Sequence, residues 1–79
     1  MPYYFFIWSP EIVEHLAEHD VTPEDFERVV SNPDFEELSR SSGNPVAFGY
    51  ALDGKYLCCV FRRSDEDTIE PITAYEIDE

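Results

Sequence analysis

Two helix starts of one design, Ser9-Pro10-Glu11 and Thr22-Pro23-Glu24-Asp25, stand one short helix apart and fix how the N-terminal half must fold. In each, a hydroxyl side chain is placed to cap free backbone amides and proline takes the first helical position, where its missing N–H costs nothing. Acid in the first turn meets the positive end of the helix dipole. Trp8 and Val13 match a hydrophobic staple around the first cap, Val21 and Phe26 another around the second, and Thr22 with Asp25 reads as a capping box. Pro33 disfavours helical geometry at Asn32 and stops the second helix there. A helical hairpin follows.

On either side of that hairpin the pattern is extended. Residues 3–8, YYFFIW, are aromatic and β-branched enough for a buried strand. After the helices, Phe35 to Arg40 is weakly strand-like and runs into a loop at Ser41, Ser42, Gly43 and Asn44. VAFGYAL and KYLCCVFRR then flank Asp53-Gly54, the strongest short hairpin signal in the chain. SDED forms the next turn, set to close with Arg63 near Thr68, and TIEPITAYEI reads as a final strand with Pro71 at an edge or bulge. With no internal repeat or linker, the expectation is a single α+β domain over residues 1–79. It has an N-terminal strand, a two-helix hairpin and an antiparallel meander of three to four strands, with the helices on one face.

A two-residue Asp53-Gly54 turn would set Leu52 opposite Lys55 and fix every pair beyond. One face would then carry Val46, Phe48, Tyr50, Leu57, Cys59 and Phe61 against the helices. The other would be a shallow trough floored by Ala47, Gly49 and Ala51, lined by Tyr56, Cys58, Val60 and Arg62 and joined by Ile69, Thr73 and Tyr75.

Size and charge limit the chemistry. A chain of 79 residues buries only about 60% of its unfolded surface, so any site should be shallow. Eighteen acidic residues against five basic ones give a formal net charge of −13, which repels nucleic acid at long range and favours either a solubilising surface or a basic partner. The opening run lacks a basic leader and is too short to span a bilayer, so the expectation is a cytoplasmic protein without membrane contact. Adjacent Cys58 and Cys59 in a strand point to opposite faces and read as buried free thiols, which suits a reducing compartment. HLAEH, residues 15–19, matches the H-x-x-E-H pattern of a class of zinc peptidases. Such enzymes need a further protein ligand and a cleft this chain cannot build, so the reading assigns no metal and no cofactor. His19 instead suits a helix C-terminus beside Glu18 and Asp20.

The run FIWSPEIVEHLAEHDVTPEDFERVVSNP, followed by a meander ending in IEPITAYE, resembles the BrnT-like toxins of the RelE-like toxin–antitoxin ribonuclease group. That family has an aromatic-x-Trp opening strand, a helix ending in a Lys-His-Gly-Val-like turn, a capped acidic second helix, an Asn- or Asp-Pro stop and a last strand like Ile-Ser-Ala-Arg. His19, Asp20 and Val21 stand at the His-Gly-Val turn, with Asp20 in place of glycine. Thr73 and Ala74 match Ser-Ala, and Tyr75 stands where those toxins carry arginine. The resemblance implies a metal-independent endoribonuclease that inhibits translation, acts on RNA or the ribosome, and pairs with a small antitoxin protein. Cleavage through the 2′-hydroxyl needs a base, a phosphate-holding cation and an acid. Arg62 is the candidate for the phosphate, Tyr56 and Tyr75 for base stacking or proton relay, with His19 or Arg40 approaching from the rim. The alternative is a catalytically silent acidic domain that engages a basic partner, and a third reading is a stand-alone structural domain.

Overall fold

The computed structural model describes residues 4–40 and 43–77; Tyr3 of the expected first strand and Ser41 and Ser42 of the expected loop lie outside them. The order is β1 (Phe5–Phe6), α1 (Pro10–Glu18), α2 (Pro23–Ser31), β2 (Phe35–Leu38), β3 (Pro45–Tyr50), β4 (Tyr56–Arg63) and β5 (Thr68–Glu76). The strands form one sheet ordered β1-β5-β4-β3-β2. Strands β2 to β5 are an antiparallel meander, and β1 adds parallel to β5. The result is the expected α+β layout: α2 lies over β3 and β4, and α1 against β5.

Both helix starts form as the local chemistry dictates. The Ser9 hydroxyl accepts from the Ile12 amide at 3.3 Å. Thr22 and Asp25 complete a reciprocal capping box, with the Asp25 amide donating to Thr22 Oγ1 at 3.1 Å and the Thr22 amide to Asp25 Oδ2 at 3.3 Å. Helix α1 ends in a Schellman turn: the Val21 amide reaches the Leu16 carbonyl at 2.9 Å and the Asp20 amide the Ala17 carbonyl at 3.0 Å. Asp20 sits in the left-handed region at φ 61°, a position that favours glycine, and its carboxylate and carbonyl both receive the Lys55 ammonium. That contact ties the helix–helix turn to the β3–β4 hairpin.

The first strand is shorter and more open than its composition predicts. Among the described residues only Phe5 and Phe6 pair with β5, and Phe5 is exposed. Phe6 turns inward, edge-on to Phe26 at 6.3 Å, while Trp8 meets Phe26 at 5.5 Å and donates its indole N–H to Glu27 at 2.7 Å. A cluster of three rings, with Phe6 and Trp8 near-parallel and both edge-on to Phe26, therefore fastens the β1 segment to α2.

The decisive departure from expectation is the turn between β3 and β4. Type I′ geometry needs positive φ at both central residues, yet Asp53 does not take it. Instead the Ala51 amide bonds the Lys55 carbonyl at 2.8 Å and the Gly54 amide the Ala51 carbonyl at 3.0 Å, with Gly54 alone left-handed at φ 93°. The loop is Leu52-Asp53-Gly54, and the pairs become Tyr50 with Tyr56, Phe48 with Cys58 and Val46 with Val60. One extra loop residue moves β3 by one place, which exchanges its faces. Ala47, Gly49 and Ala51 therefore lie under the helices with Leu57, Cys59 and Phe61, all of them buried. They are not an open trough, and Phe48 and Tyr50 are not core residues. Ile69, expected in the trough, is also fully buried in the core. The turn after β4 pairs Arg63 with Ile69, and a bulge beside Pro71 inserts Ile72 into β5 opposite Val60 and Phe61.

The small stripe has a packing reason. A Cβ on Gly49 would stand 3.3 Å from Val29 Cγ1 and 3.6 Å from the Asp34 amide, so the absent side chain lets α2 settle on the sheet. Phe26 and Val29 are buried there, each contributing about 1.5–3 kcal/mol by leaving water. Gly49→Val should destabilise the fold by about 1–3 kcal/mol through overpacking, measured by denaturant unfolding. In the two-residue-turn register the same change would add a β-branched residue to a solvent face and leave stability equal or higher.

Candidate functional site

With the helices on one face, the other face of the sheet is open, and the cross-strand pairs define what it presents. One row runs Phe35, Phe48, Cys58, Tyr75 across β2, β3, β4 and β5. Tyr50 and Tyr56 form the next row, and Glu37, Val46 and Val60 stand on the other side of the first. The rings are in contact: Phe35 and Phe48 have centroids 5.7 Å apart, Phe48 and Tyr56 stack at 6.4 Å, and Tyr50 meets Tyr56 at 4.7 Å. The Tyr56 hydroxyl donates to Asp34 at 3.3 Å. Phe35, Tyr50 and Tyr75 are 54%, 51% and 43% exposed, so this is a solvent-facing aromatic platform.

Beneath the platform Cys58 is buried although it lies on the open face. Desolvation raises its thiol above the ordinary range, a hydrogen bond with Tyr75 pulls the other way, and the Glu37 charge adds to the rise. The same hydrogen bond holds the Tyr75 phenol above its usual value. At neutral pH both groups keep their protons, so neither is a ready nucleophile or base. Cys59 faces the core, where burial pushes its thiol up strongly.

The five residues singled out for RNA cleavage are not brought together. Tyr56 and Arg62 share a face but stand at opposite ends of β4, six residues or about 20 Å apart at strand rise. Tyr75, opposite Cys58, lies between them. Arg62 is 3.4 Å from both carboxylate oxygens of Glu70, its cross-strand partner. Arg40 follows β2 at the same end of the sheet as Arg62. His19 caps α1 in the helical layer, at the Lys55 end, and packs its ring against His15 at 5.2 Å. Thr73, expected to equip the trough, bonds His15 Nε2 at 2.9 Å. His15 Nδ1 in turn faces Glu18 at 3.9 Å, so the HLAEH histidines are engaged in helix packing. Among the described residues no group of three or more His, Cys, Asp or Glu converges on a metal-sized point.

Cations are scarce, and three of the five are committed. Lys55 is held by Asp20 and Asp53, with its ammonium pKa raised chiefly by the hydrogen bond to Asp20. Arg62 is matched by Glu70, and Arg63 lies over the Tyr4 ring at 5.4 Å. What the sequence reading missed is the platform formed by Phe35, Phe48 and Tyr50. Its signal was Gly54 as the third loop residue, since that count alone aligns Phe48 and Tyr50 with Tyr56. Comparison with models of known protein families, with curated proteins and with solved structures finds no match. No helix among the described residues is long and apolar enough to cross a membrane.

The buried thiols have a measurable consequence. A thiol whose folded pKa lies above its ordinary 9.0 stays protonated when the unfolded chain begins to ionise. Stability is therefore complete below pH 9 and falls as pH rises further, by up to about 1.4 kcal/mol per pH unit for each such thiol. Cys59→Ala should lower stability at neutral pH yet give a shallower alkaline decline than the parent, read from denaturant midpoints across the pH range.

Proposed function

We propose that this chain is a divergent BrnT-like domain of the cytoplasm that acts by binding a basic protein partner, not by cutting RNA. The observation that carries this reading is the open sheet face: five aromatic rings, three of them more than 40% exposed, with Asp34, Glu37 and Glu70 around them. Contiguous exposed aromatic surface is uncommon on a protein that works alone and typical of an interface centre. Tyrosine faces also attract guanidinium and ammonium groups, and a net charge of −13 steers a basic partner toward them while repelling RNA. The separation of Tyr56 from Arg62 and the pairing of Arg62 with Glu70 both weigh against a shared phosphate site. A small basic antitoxin-like protein is the kind of partner the resemblance implies.

One observation favours the ribonuclease reading as the second choice: the Arg62 side chain is 64% exposed on the same face as Tyr75. Induced expression in bacteria separates the two. For a binding domain, cells should grow normally and their RNA stay intact with either the wild type or Arg62→Ala. Growth arrest by the wild type that Arg62→Ala relieves, with unchanged melting, would establish the enzyme instead. Replacing Tyr75 by Glu should weaken capture of the co-expressed basic partner by roughly tenfold or more while leaving the melt near its parent value.

A further inference from the structure

The sheet has two edges, and they are finished differently. On the β1 side the outer strand is two residues long, and where it ends β5 carries Pro71 and the inserted Ile72, devices that stop a further strand from adding. On the β2 side no proline or inserted residue interrupts Phe35–Leu38. Phe35, Glu36, Glu37 and Leu38 are all exposed, and none is proline or glycine. The Ser39 amide bonds the Asn44 carbonyl at 2.8 Å, so by antiparallel alternation the amides of Glu37 and Phe35 face β3 and those of Glu36 and Leu38 face outward. Two donors and their companion carbonyls stand ready on this edge.

The side chains say what can use them. Antiparallel pairing of β2 with its own copy about a two-fold axis keeps like faces together. The registers that pair the most of β2 therefore set either Glu36 against Glu36 or Glu37 against Glu37, and like charges directly opposite destabilise a strand pair. Self-association is thereby discouraged. A strand with two adjacent basic residues would meet both glutamates, and apolar residues flanking them would meet Leu38, 66% exposed, and Phe35. Phe35 is also the first ring of the aromatic platform, so a strand added here extends a surface already built for contact.

We propose that β2 is a strand-addition site for a basic extended segment of a partner protein, with the pattern apolar-basic-basic-apolar pairing antiparallel to Phe35–Leu38. This rests on the basic-partner reading above and names how that partner is held: backbone bonds to Glu36 and Leu38 give affinity, and the two glutamates give selectivity.

The test uses the full chain, isotopically labelled, titrated with a synthetic strand-forming peptide whose core reads Val-Lys-Lys-Phe. The expected result is saturable binding, with slowed hydrogen exchange at the amides of Glu36 and Leu38. Glu36→Pro removes one outward donor without touching the β3 ladder and should weaken binding about tenfold. The double variant Glu36→Lys with Glu37→Lys needs no backbone change; it should lose this peptide and accept one with a Val-Glu-Glu-Phe core. If a helical peptide of equal charge binds the aromatic face instead, with the β2 amides unprotected, strand addition is overturned while the basic-partner reading stands. If neither peptide form binds, both fall. Dimerisation of the chain through β2 at low salt would also overturn the proposal, since the glutamates would then not be selective.

Discussion

The seat of Val29 over Gly49 is the contact on which the rest of the arrangement depends. Helix α2 comes closest to the sheet where β3 offers Ala47, Gly49 and Ala51 in alternation, and that stripe faces the helix only because β3 pairs with β4 in one register. The register is set in turn by a loop of three residues closed by a left-handed Gly54. Core and open face are thus two outcomes of one count. Moving small residues inward moves Phe48 and Tyr50 outward, so the same event that allows close helix packing also creates the aromatic platform.

This explains which parts of the fold were legible beforehand. Helix boundaries follow from bonds within four residues, Ser9 with Ile12 and Thr22 with Asp25, and the sequence carries all the information those bonds need. The meander and its bulge at Pro71 were likewise readable from alternation and from the missing proline donor. Register was not, because Asp53-Gly54 is compatible with two turns whose energies depend on what each places under the helices. Asp53 avoids positive φ, its side chain accepts from the Lys55 amide at 3.2 Å, and Leu52 joins the loop. A local signal was present, but tertiary packing chose between its two meanings.

The site suffered from the same limit in a different form. Tyr56 and Arg62 do share a face, which alternation along β4 predicts regardless of register, and Tyr75 joins them from β5 by pairing with Cys58. Their spacing along that strand was also available, and six residues of extended chain are too long for one phosphodiester step. His19 and Arg40 lie at opposite ends of the molecule because one closes a helix and the other follows an edge strand. What no local pattern could supply was the contribution of Phe35 and Phe48 to the platform, since it requires two separate pairings to be in phase.

The parallel pairing of β1 with β5 orders events during synthesis. Phe5 and Phe6 are made about sixty residues before the strand they bond, at Thr68 and Ile69. Helix α1 also packs on β5, so β1 and α1 have their caps but no strand to rest on until β5 is made. A nascent chain halted before residue 68 would expose the inward face of α1 and the Phe6, Trp8 and Phe26 rings together. Topology of this kind makes closure slow relative to local helix formation and leaves apolar surface uncovered meanwhile. A net charge of −13 opposes contact between such uncovered surfaces, because like-charged chains repel.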